Sequence, residues 1–249
     1  MTRLHDANCR LGGYPWGVVG GSAVPDLLSA MDRLGIERAL VSHTMAWRHD
    51  PATGNRRVVA ELRGQQRLRP CWVALPESCG ELDKPDRFVA AALAAGVGAM
   101  RVYPKDHGFD LDDPDFAHYA AAFAEAGLPL LVDLAEAGWR PIEALATAHP
   151  RLAVIVCQTG YRVLRQAMAV LGRTENVHLD LSDLSTHEGL EWLAATVGPH
   201  RLVFGTGGPL RDPAEAVTRL LWSELSDDDA AAVGHANLEA MLPGPGVFG

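Results

Sequence analysis

The sequence has no long hydrophobic run and few cysteines. Its longest apolar stretches, such as residues 153–157, are far shorter than the roughly 20 residues that span a bilayer. Its four cysteines form no CxxC pair, which predicts reduced thiols rather than a disulfide scaffold or a zinc module. The chain opens on TRLHD after its first Met, without a basic residue followed by an apolar stretch. We therefore expect a cytoplasmic protein with no membrane segment.

Positive charge is also scarce. The chain has 22 Lys and Arg against 31 Asp and Glu, which gives a formal net charge of -9, and the cations are scattered along the sequence. A nucleic-acid or anionic-membrane binder would show a basic patch or stripe. We therefore expect a small molecule or a protein as partner, and the sequence leaves the oligomeric state open.

Several catalytic motifs are missing as well. The sequence has no Gly-x-Ser-x-Gly elbow. Residues 11–21 (LGGYPWGVVGG) are rich in glycine but have neither GxGxxG order nor Walker spacing. We interpret this segment as the first loop between a strand and a helix, in which Trp16 either covers a pocket or anchors a surface loop.

Short β-type runs alternate with longer helical patterns from end to end, as expected for a parallel sheet built of βα units. Several runs are continuously apolar, which is typical of strands buried on both faces. The eight strand candidates are residues 3–8, 38–43, 70–74, 99–103, 129–133, 153–158, 177–180 and 202–205. Eight units in strict alternation predict an α/β fold, a (β/α)8 TIM barrel, with residues 1–249 as one domain. A flavodoxin-like sheet with extra strands is the alternative.

Three sites carry helix-start signals. Asp113 and Asp212 each precede a proline, and Ser226 precedes three aspartates. These residues suit the positive N-terminus of a helix.

Four segments occur in an order that resembles the amidohydrolase superfamily, in the branch of aminocarboxymuconate semialdehyde decarboxylase. They are DANCRLG at 6–12, GAMRVYPK at 98–105, FGTGGP at 204–209 and HAN at 235–237. The resemblance covers the whole chain and implies a barrel with its active site at the C-terminal ends of the strands.

In that branch, the first strand ends in His-x-His, the fifth and sixth strands each present a histidine, and the eighth ends in an aspartate that activates water on the metal. The matching positions of this chain are Asn8-Cys9-Arg10, Asp133, Gln158 and Gly207. An arginine cannot ligate zinc, and a single carboxylate does not hold a catalytic dication against water. The sequence therefore predicts no metal site and no cofactor.

The predicted strand ends still collect polar and mostly cationic residues. Asp133 and His43 are the candidates for proton transfer, because burial can tune either group toward neutral pH. The trio Arg10, Arg101 and Lys105 is suited to a carboxylate or another anion, although Arg10 alone has the alternative of an ion pair with Asp133 or Asp6. The candidate substrate-binding residues are Asn8, Arg10, Arg101, Tyr103, Lys105, His107, Gln158 and Tyr161.

Three hypotheses follow. In the first, an amidohydrolase-like barrel without the family's metal ligands binds a small anionic or polar metabolite, and any hydrolase or lyase chemistry is metal-independent. In the second, a metal-dependent hydrolase or decarboxylase has a rebuilt ligand set, for example Asp6, His43, His107 and Asp133. In the third, the barrel is a non-catalytic regulatory or partner-binding module.

Overall fold

Eight parallel strands follow one another in a computed structural model that describes residues 2–17 and 19–244. The strands are β1 Leu4–Leu11, β2 Ile36–His43, β3 Leu68–Val73, β4 Ala99–Val102, β5 Leu130–Asp133, β6 Val154–Cys157, β7 Val177–Asp180 and β8 Leu202–Val203. All eight predicted strands are confirmed, with ends that differ by up to three residues. Of the predicted domain, residue 1 and residues 245–249 lie outside the described residues, as does Val18 of the glycine-rich loop.

Helices alternate with the strands. They are α1 Val24–Leu34, α2 Thr44–Arg48, α3 Pro51–Glu61, α4 Pro85–Ala94, α5 Pro104–His107, α6 Pro114–Ala126, α7 Leu134–Ala137, α8 Trp139–Ala148, α9 Leu164–Leu171, α10 Gly189–Val197, α11 Pro213–Leu221, α12 Asp227–Ala231 and α13 Asn237–Met241. The three predicted helix starts are confirmed, because Asp113, Asp212 and Ser226 each accept a backbone N–H of the first turn. No helix in the described part of the chain is long and apolar enough to cross a membrane.

The strands of the sheet lie in chain order, so each strand from β1 to β7 pairs with the strand that follows it in the sequence. Backbone hydrogen bonds then join β1 to the segment that follows β8. Ala7 N–H donates to the Phe204 carbonyl at 2.9 Å, Gly207 N–H to the Asn8 carbonyl at 3.0 Å, and Arg10 N–H to the Gly208 carbonyl at 2.9 Å. These bonds bring the first and last strands together, and the predicted TIM barrel is confirmed.

Burial explains the strand pattern. Every residue of β4, β5 and β6 is buried, because one face of each strand is turned to the barrel interior and the other to the surrounding helices. On α6, Phe116, Ala120 and Phe123 lie on one face and are buried against the sheet. The barrel therefore holds the C-terminal ends of its strands in fixed positions around one mouth.

Candidate functional site

Two arginines share one carboxylate at the barrel mouth. Arg10 comes from β1 and Arg101 from β4, and Asp133 is the last residue of β5. The Arg10 Nη2 donates to Asp133 Oδ2 at 2.7 Å, and Arg101 Nη2 donates to the other oxygen, Oδ1. Each arginine is 1% exposed and Asp133 is 5% exposed. Of the two pairings that the sequence allows for Arg10, the structure contains the one with Asp133.

Asn8 connects this ion pair to a second carboxylate. Its amide oxygen accepts from Arg101 Nη1 at 2.8 Å, and its amide nitrogen donates to Asp180 Oδ2 at 2.8 Å. The Ser182 hydroxyl lies 2.7 Å from both oxygens of Asp180. We call Asn8, Arg10, Arg101, Asp133, Asp180 and Ser182 the mouth cluster.

The two carboxylates of the mouth cluster differ in their partners. Asp133 is bound by two guanidinium groups, whereas Asp180 receives only neutral donors. The pKa of Asp180 is raised to about 7, because burial, with a smaller contribution from the charge of nearby Asp133, outweighs the lowering effect of its three hydrogen-bond donors. The mouth cluster has two arginines and one salt-bridged aspartate besides Asp180. Its net charge is therefore zero when Asp180 is ionised and +1 when Asp180 is protonated, and the change occurs near neutral pH.

Gln158 takes part through its backbone. Its N–H lies 3.2 Å from Asp180 Oδ1 and 3.1 Å from Ser182 Oγ. The residue has a φ of 60°, in the left-handed region that residues other than glycine rarely adopt. Such backbone strain persists where surrounding contacts hold it, and it is frequent at functional sites.

Aromatic rings cover the arginines. The Trp47 ring is stacked on Tyr103, with 4.9 Å between ring centroids, and its indole N–H donates to Asp106 at 2.7 Å. The Arg10 guanidinium lies 5.4 Å from the Trp47 ring centroid, and that of Arg48 lies 3.7 Å from it. These contacts add cation–π attraction to a desolvated cation.

Three buried polar groups at the mouth have no hydrogen-bond partner in the described part of the chain. They are Arg10 Nη1, Arg101 Nε and the Tyr14 hydroxyl. Burial raises the pKa of Tyr14 to about 12, although the positive charges of Arg10 and Arg101 act to lower it. At neutral pH all three groups therefore carry hydrogens that they can donate.

A cavity of about 810 Å³ lies beside the mouth cluster. Gln158 and Leu134, the residue after Asp133, line it together with Trp139 and Tyr161. Tyr161 is 56% exposed, whereas the indole N–H of Trp139 is buried without a partner in the protein. The predicted binding residues Gln158 and Tyr161 thus face one space, next to Asp133.

Not all the predicted site residues join the cluster. His43 contacts Met45 and Glu61 and lines a separate cavity. Lys105 is exposed on the short helix α5. The His107 ring bonds to the Trp47 carbonyl at 2.8 Å, and burial lowers its pKa. Among the predicted residues, those that lie together are Asn8, Arg10, Arg101, Tyr103, Asp133 and the backbone of Gln158.

The alternative ligand set is dispersed. The Asp6 carboxylate accepts from the backbone N–H groups of Asn8 and Thr206 at 2.9 and 3.0 Å, beside the β1–β8 closure. His43, His107 and Asp133 have other partners, given above. Among the residues that the structure describes, no three or more His, Cys, Asp or Glu side chains are grouped so that they could hold a metal ion.

Three residues of the mouth were missed by sequence reasoning. Asp180 ends β7, so a carboxylate that follows an apolar strand was the signal that could have identified it. Tyr14 lies in the first loop and Trp47 on α2, and neither position has a distinctive sequence pattern.

A family model described as Amidohydrolase matches residues 8–244, and the chain belongs to that family. No curated protein matches the sequence. Three of the similar solved structures cover almost all of both chains at low identity. The first is an uncharacterised TIM-barrel protein of Bordetella bronchiseptica, with a TM-score of 0.73 and 15% identity over 96% of this chain and 98% of that chain. The second is the 2,6-dihydroxybenzoate decarboxylase of Rhizobium, with a TM-score of 0.69 and 15% identity over 97% of this chain and 98% of that chain. The third is the 5-carboxyvanillate decarboxylase of Novosphingobium aromaticivorans, complexed with manganese and a nitrobenzoic acid, with a TM-score of 0.73 and 13% identity over 96% of both chains. The predicted family is confirmed, and the three solved structures share the barrel fold.

The family resemblance implies a metal, so the residues at its position can be tested for fit. Asp133 is bound by two guanidinium groups, and the Asn8 amide is shared between Arg101 and Asp180. Gly207 has no side chain, and its N–H donates to the Asn8 carbonyl. A divalent cation would have to displace two cations from the single carboxylate among these positions. The residues present do not fit such an ion.

Proposed function

We propose that this amidohydrolase-family barrel binds a small carboxylate at its mouth, where Arg10 and Arg101 supply the positive charge, and that any hydrolase or lyase chemistry there is metal-independent. The observation that carries the proposal is the set of three buried donors without an acceptor: Arg10 Nη1, Arg101 Nε and the Tyr14 hydroxyl. Buried polar groups in proteins are almost always hydrogen-bonded, and a carboxylate supplies acceptors only.

The charge of the mouth cluster supports the same ligand class. Near neutral pH the cluster has up to one uncompensated positive charge, because burial raises the pKa of Asp180 to about 7. A bound monoanion would neutralise that charge in a site from which water is largely excluded. We place the rest of the ligand in the cavity that Gln158 lines.

Asp180 is the acid–base group of this proposal. A carboxyl group whose pKa is near the working pH can both give and take a proton, whereas Asp133 is engaged in salt bridges with two arginines. His43, which lies in another cavity, is not part of it.

Thermal unfolding with a panel of small mono- and dicarboxylic acids, which includes 2,6-dihydroxybenzoate, tests binding. A ligand at 100 times its dissociation constant should add about 2.7 kcal/mol of stability. Tyr14→Phe should weaken binding of that acid about 5- to 10-fold, because one hydrogen bond is lost. Tyr119→Phe, which removes a hydroxyl bonded to the Asp83 carbonyl, is the matched control and should leave the affinity unchanged.

Two results would contradict the proposal. Stoichiometric zinc or manganese that survives a chelator wash, measured by elemental analysis, would favour the metal-dependent hypothesis. A panel in which no acid stabilises the protein would favour the regulatory or partner-binding hypothesis.

A further inference from the structure

A second cavity, of about 600 Å³, lies outside the mouth cluster. It is enclosed by the loop after β1, by the end of β2 and by helix α3. Its polar lining includes His43, Arg57 and Glu61, and no residue of the mouth cluster lines it. Tyr14, whose hydroxyl is one of the three unpartnered donors of the mouth, also lines this cavity, so the two spaces adjoin at that residue.

The tautomer of His43 is set by the backbone. Its Nδ1 accepts the Met45 N–H at 3.0 Å, so Nδ1 has no hydrogen and the neutral ring carries its hydrogen on Nε2. The imidazole is 4% exposed. Burial lowers the pKa of His43, which keeps the ring neutral at pH 7. His43 therefore presents one fixed N–H donor.

That donor has no hydrogen-bond partner among the residues that the structure describes. Glu61 Oε1 lies 3.6 Å from it, which is beyond hydrogen-bond length. Arg57 Nε lies 2.8 Å from the same Glu61 oxygen and holds the carboxylate in place. An N–H donor and a carboxylate acceptor thus lie 3.6 Å apart, and a hydroxyl oxygen placed to one side of the line that joins them can reach both.

Gly12 makes room for this arrangement. Its φ is +93°, and a Cβ built on it would lie 2.5 Å from His43 Cε1 and 2.9 Å from His43 Nε2. Any larger residue at this position would press on the imidazole. The absence of a side chain therefore lets the loop after β1 pack directly against the imidazole, which fixes the position of the ring.

We propose that this cavity is a second binding site and that it takes a neutral polyhydroxylated molecule, a sugar or a polyol. A hydroxyl oxygen accepts from His43 Nε2–H and donates to Glu61 at the same time. A carboxylate has no hydrogen to give to Glu61, and an ammonium group has no lone pair for His43. Because Arg57 and Glu61 balance each other and the imidazole is neutral, the site favours an uncharged ligand, and a second hydroxyl can accept from the Arg57 guanidinium.

The test is a titration of the 15N-labelled protein with glycerol, D-ribose, D-glucose and myo-inositol, followed through the histidine ring nitrogens by NMR. We expect at least one probe to shift the His43 Nε2 signal with a saturable dependence on concentration. Glu61→Gln should weaken that binding at least 10-fold, since the fixed carboxylate acceptor is lost. The matched control is Glu215→Gln, which breaks an equivalent pair with Arg219 on α11 and should leave binding unchanged.

A second variant separates binding from folding. His43→Asn keeps an acceptor for the Met45 N–H, because asparagine is a good residue at a helix start, and it removes the Nε2–H. Probe binding, followed in this variant by calorimetry, should be lost while the unfolding midpoint stays close to that of the unchanged protein. The proposal is overturned if no probe shifts His43, if Glu61→Gln binds as tightly as the unchanged protein, or if small carboxylates bind here instead. The first two results leave carboxylate binding at the mouth untouched, whereas carboxylates that bind at His43 would also stabilise the protein in the thermal panel.

Discussion

Arg101 orients the amide of Asn8. Its guanidinium binds the amide oxygen at 2.8 Å, so the amide nitrogen is turned toward Asp180, which accepts from it at 2.8 Å. Without that turn, the amide oxygen would face the Asp180 carboxylate. The contact thus links the salt-bridged part of the mouth cluster to its titratable part. Four predictions concern this cluster, the ring that covers Arg10 and the glycine packed against His43.

The first concerns the shared carboxylate. Asp133→Asn should lower the free energy of unfolding by about 3–5 kcal/mol, because two buried guanidinium groups lose their counter-charge. Urea unfolding measures the loss. Asp32→Asn, which breaks an exposed ion pair with Arg67, should cost much less. Equal losses in the two variants would show that the mouth ion pairs contribute no more than surface ones.

The second concerns pH. An aspartate has a pKa of about 4 in an unfolded chain, and burial raises the pKa of Asp180 to about 7. The folded state therefore binds this proton more tightly, and its stabilising effect is lost as pH rises from about 4 to about 7. Asp180→Asn should remove this part of the decline, which is on the order of 4 kcal/mol.

Urea unfolding at pH 5 and at pH 8 measures this effect. The stability difference between the two pH values should be smaller in Asp180→Asn than in the unchanged protein. The control, Asp32→Asn, should keep the full difference. The assignment to Asp180 is wrong if its asparagine variant keeps the full difference too.

The third concerns Gly12. Gly12→Ala should cost more stability than Gly35→Ala, although both glycines have positive φ values, +93° and +70°. At Gly35 a Cβ meets nothing within 4 Å, so the cost is the backbone strain of about 1–2 kcal/mol. At Gly12 the clash with His43 adds to it, by about 1–3 kcal/mol. Thermal unfolding of the two variants compares them, and similar midpoints would contradict the close approach.

The fourth concerns the ring over Arg10. Trp47→Ala should lower stability by about 3–5 kcal/mol, because a buried ring stacked on Tyr103 is removed. Trp222→Ala removes the same side chain from a position that is 85% exposed, and we expect a change within about 0.5 kcal/mol. Chemical unfolding followed by far-UV circular dichroism gives both values. A small loss at Trp47 would mean that the ring contributes little to the mouth.

The sequence predicts the barrel well, because its strands are buried on both faces and its helices begin at capping residues. These signals lie in short stretches of sequence, and so do the signals for the strand ends that bring Asn8, Arg10, Arg101 and Asp133 together. The direction of a side chain at a strand end depends instead on contacts with residues that are distant in the sequence. His43 ends β2, yet its ring is held by Met45 on α2 and turned toward Glu61 on α3.

Asp180 shows a second limit. A carboxylate that ends a strand has the same sequence pattern whether it begins the next helix, pairs with a cation or stays protonated. Its raised pKa depends on burial inside the folded barrel, which outweighs the lowering effect of its hydrogen-bond donors, Asn8 of β1 among them. Tyr14 was missed for a related reason, since nothing in a glycine-rich loop indicates which side chain is turned inward.

The two arginines on one aspartate constrain which substitutions the mouth tolerates. Arg10 and Arg101 reach the mouth from β1 and β4, so replacing Arg10 by histidine would leave the guanidinium of Arg101 on Asp133. A metal centre at these positions would therefore need concerted replacements on at least two strands, because each single replacement leaves the buried charges of the barrel unbalanced.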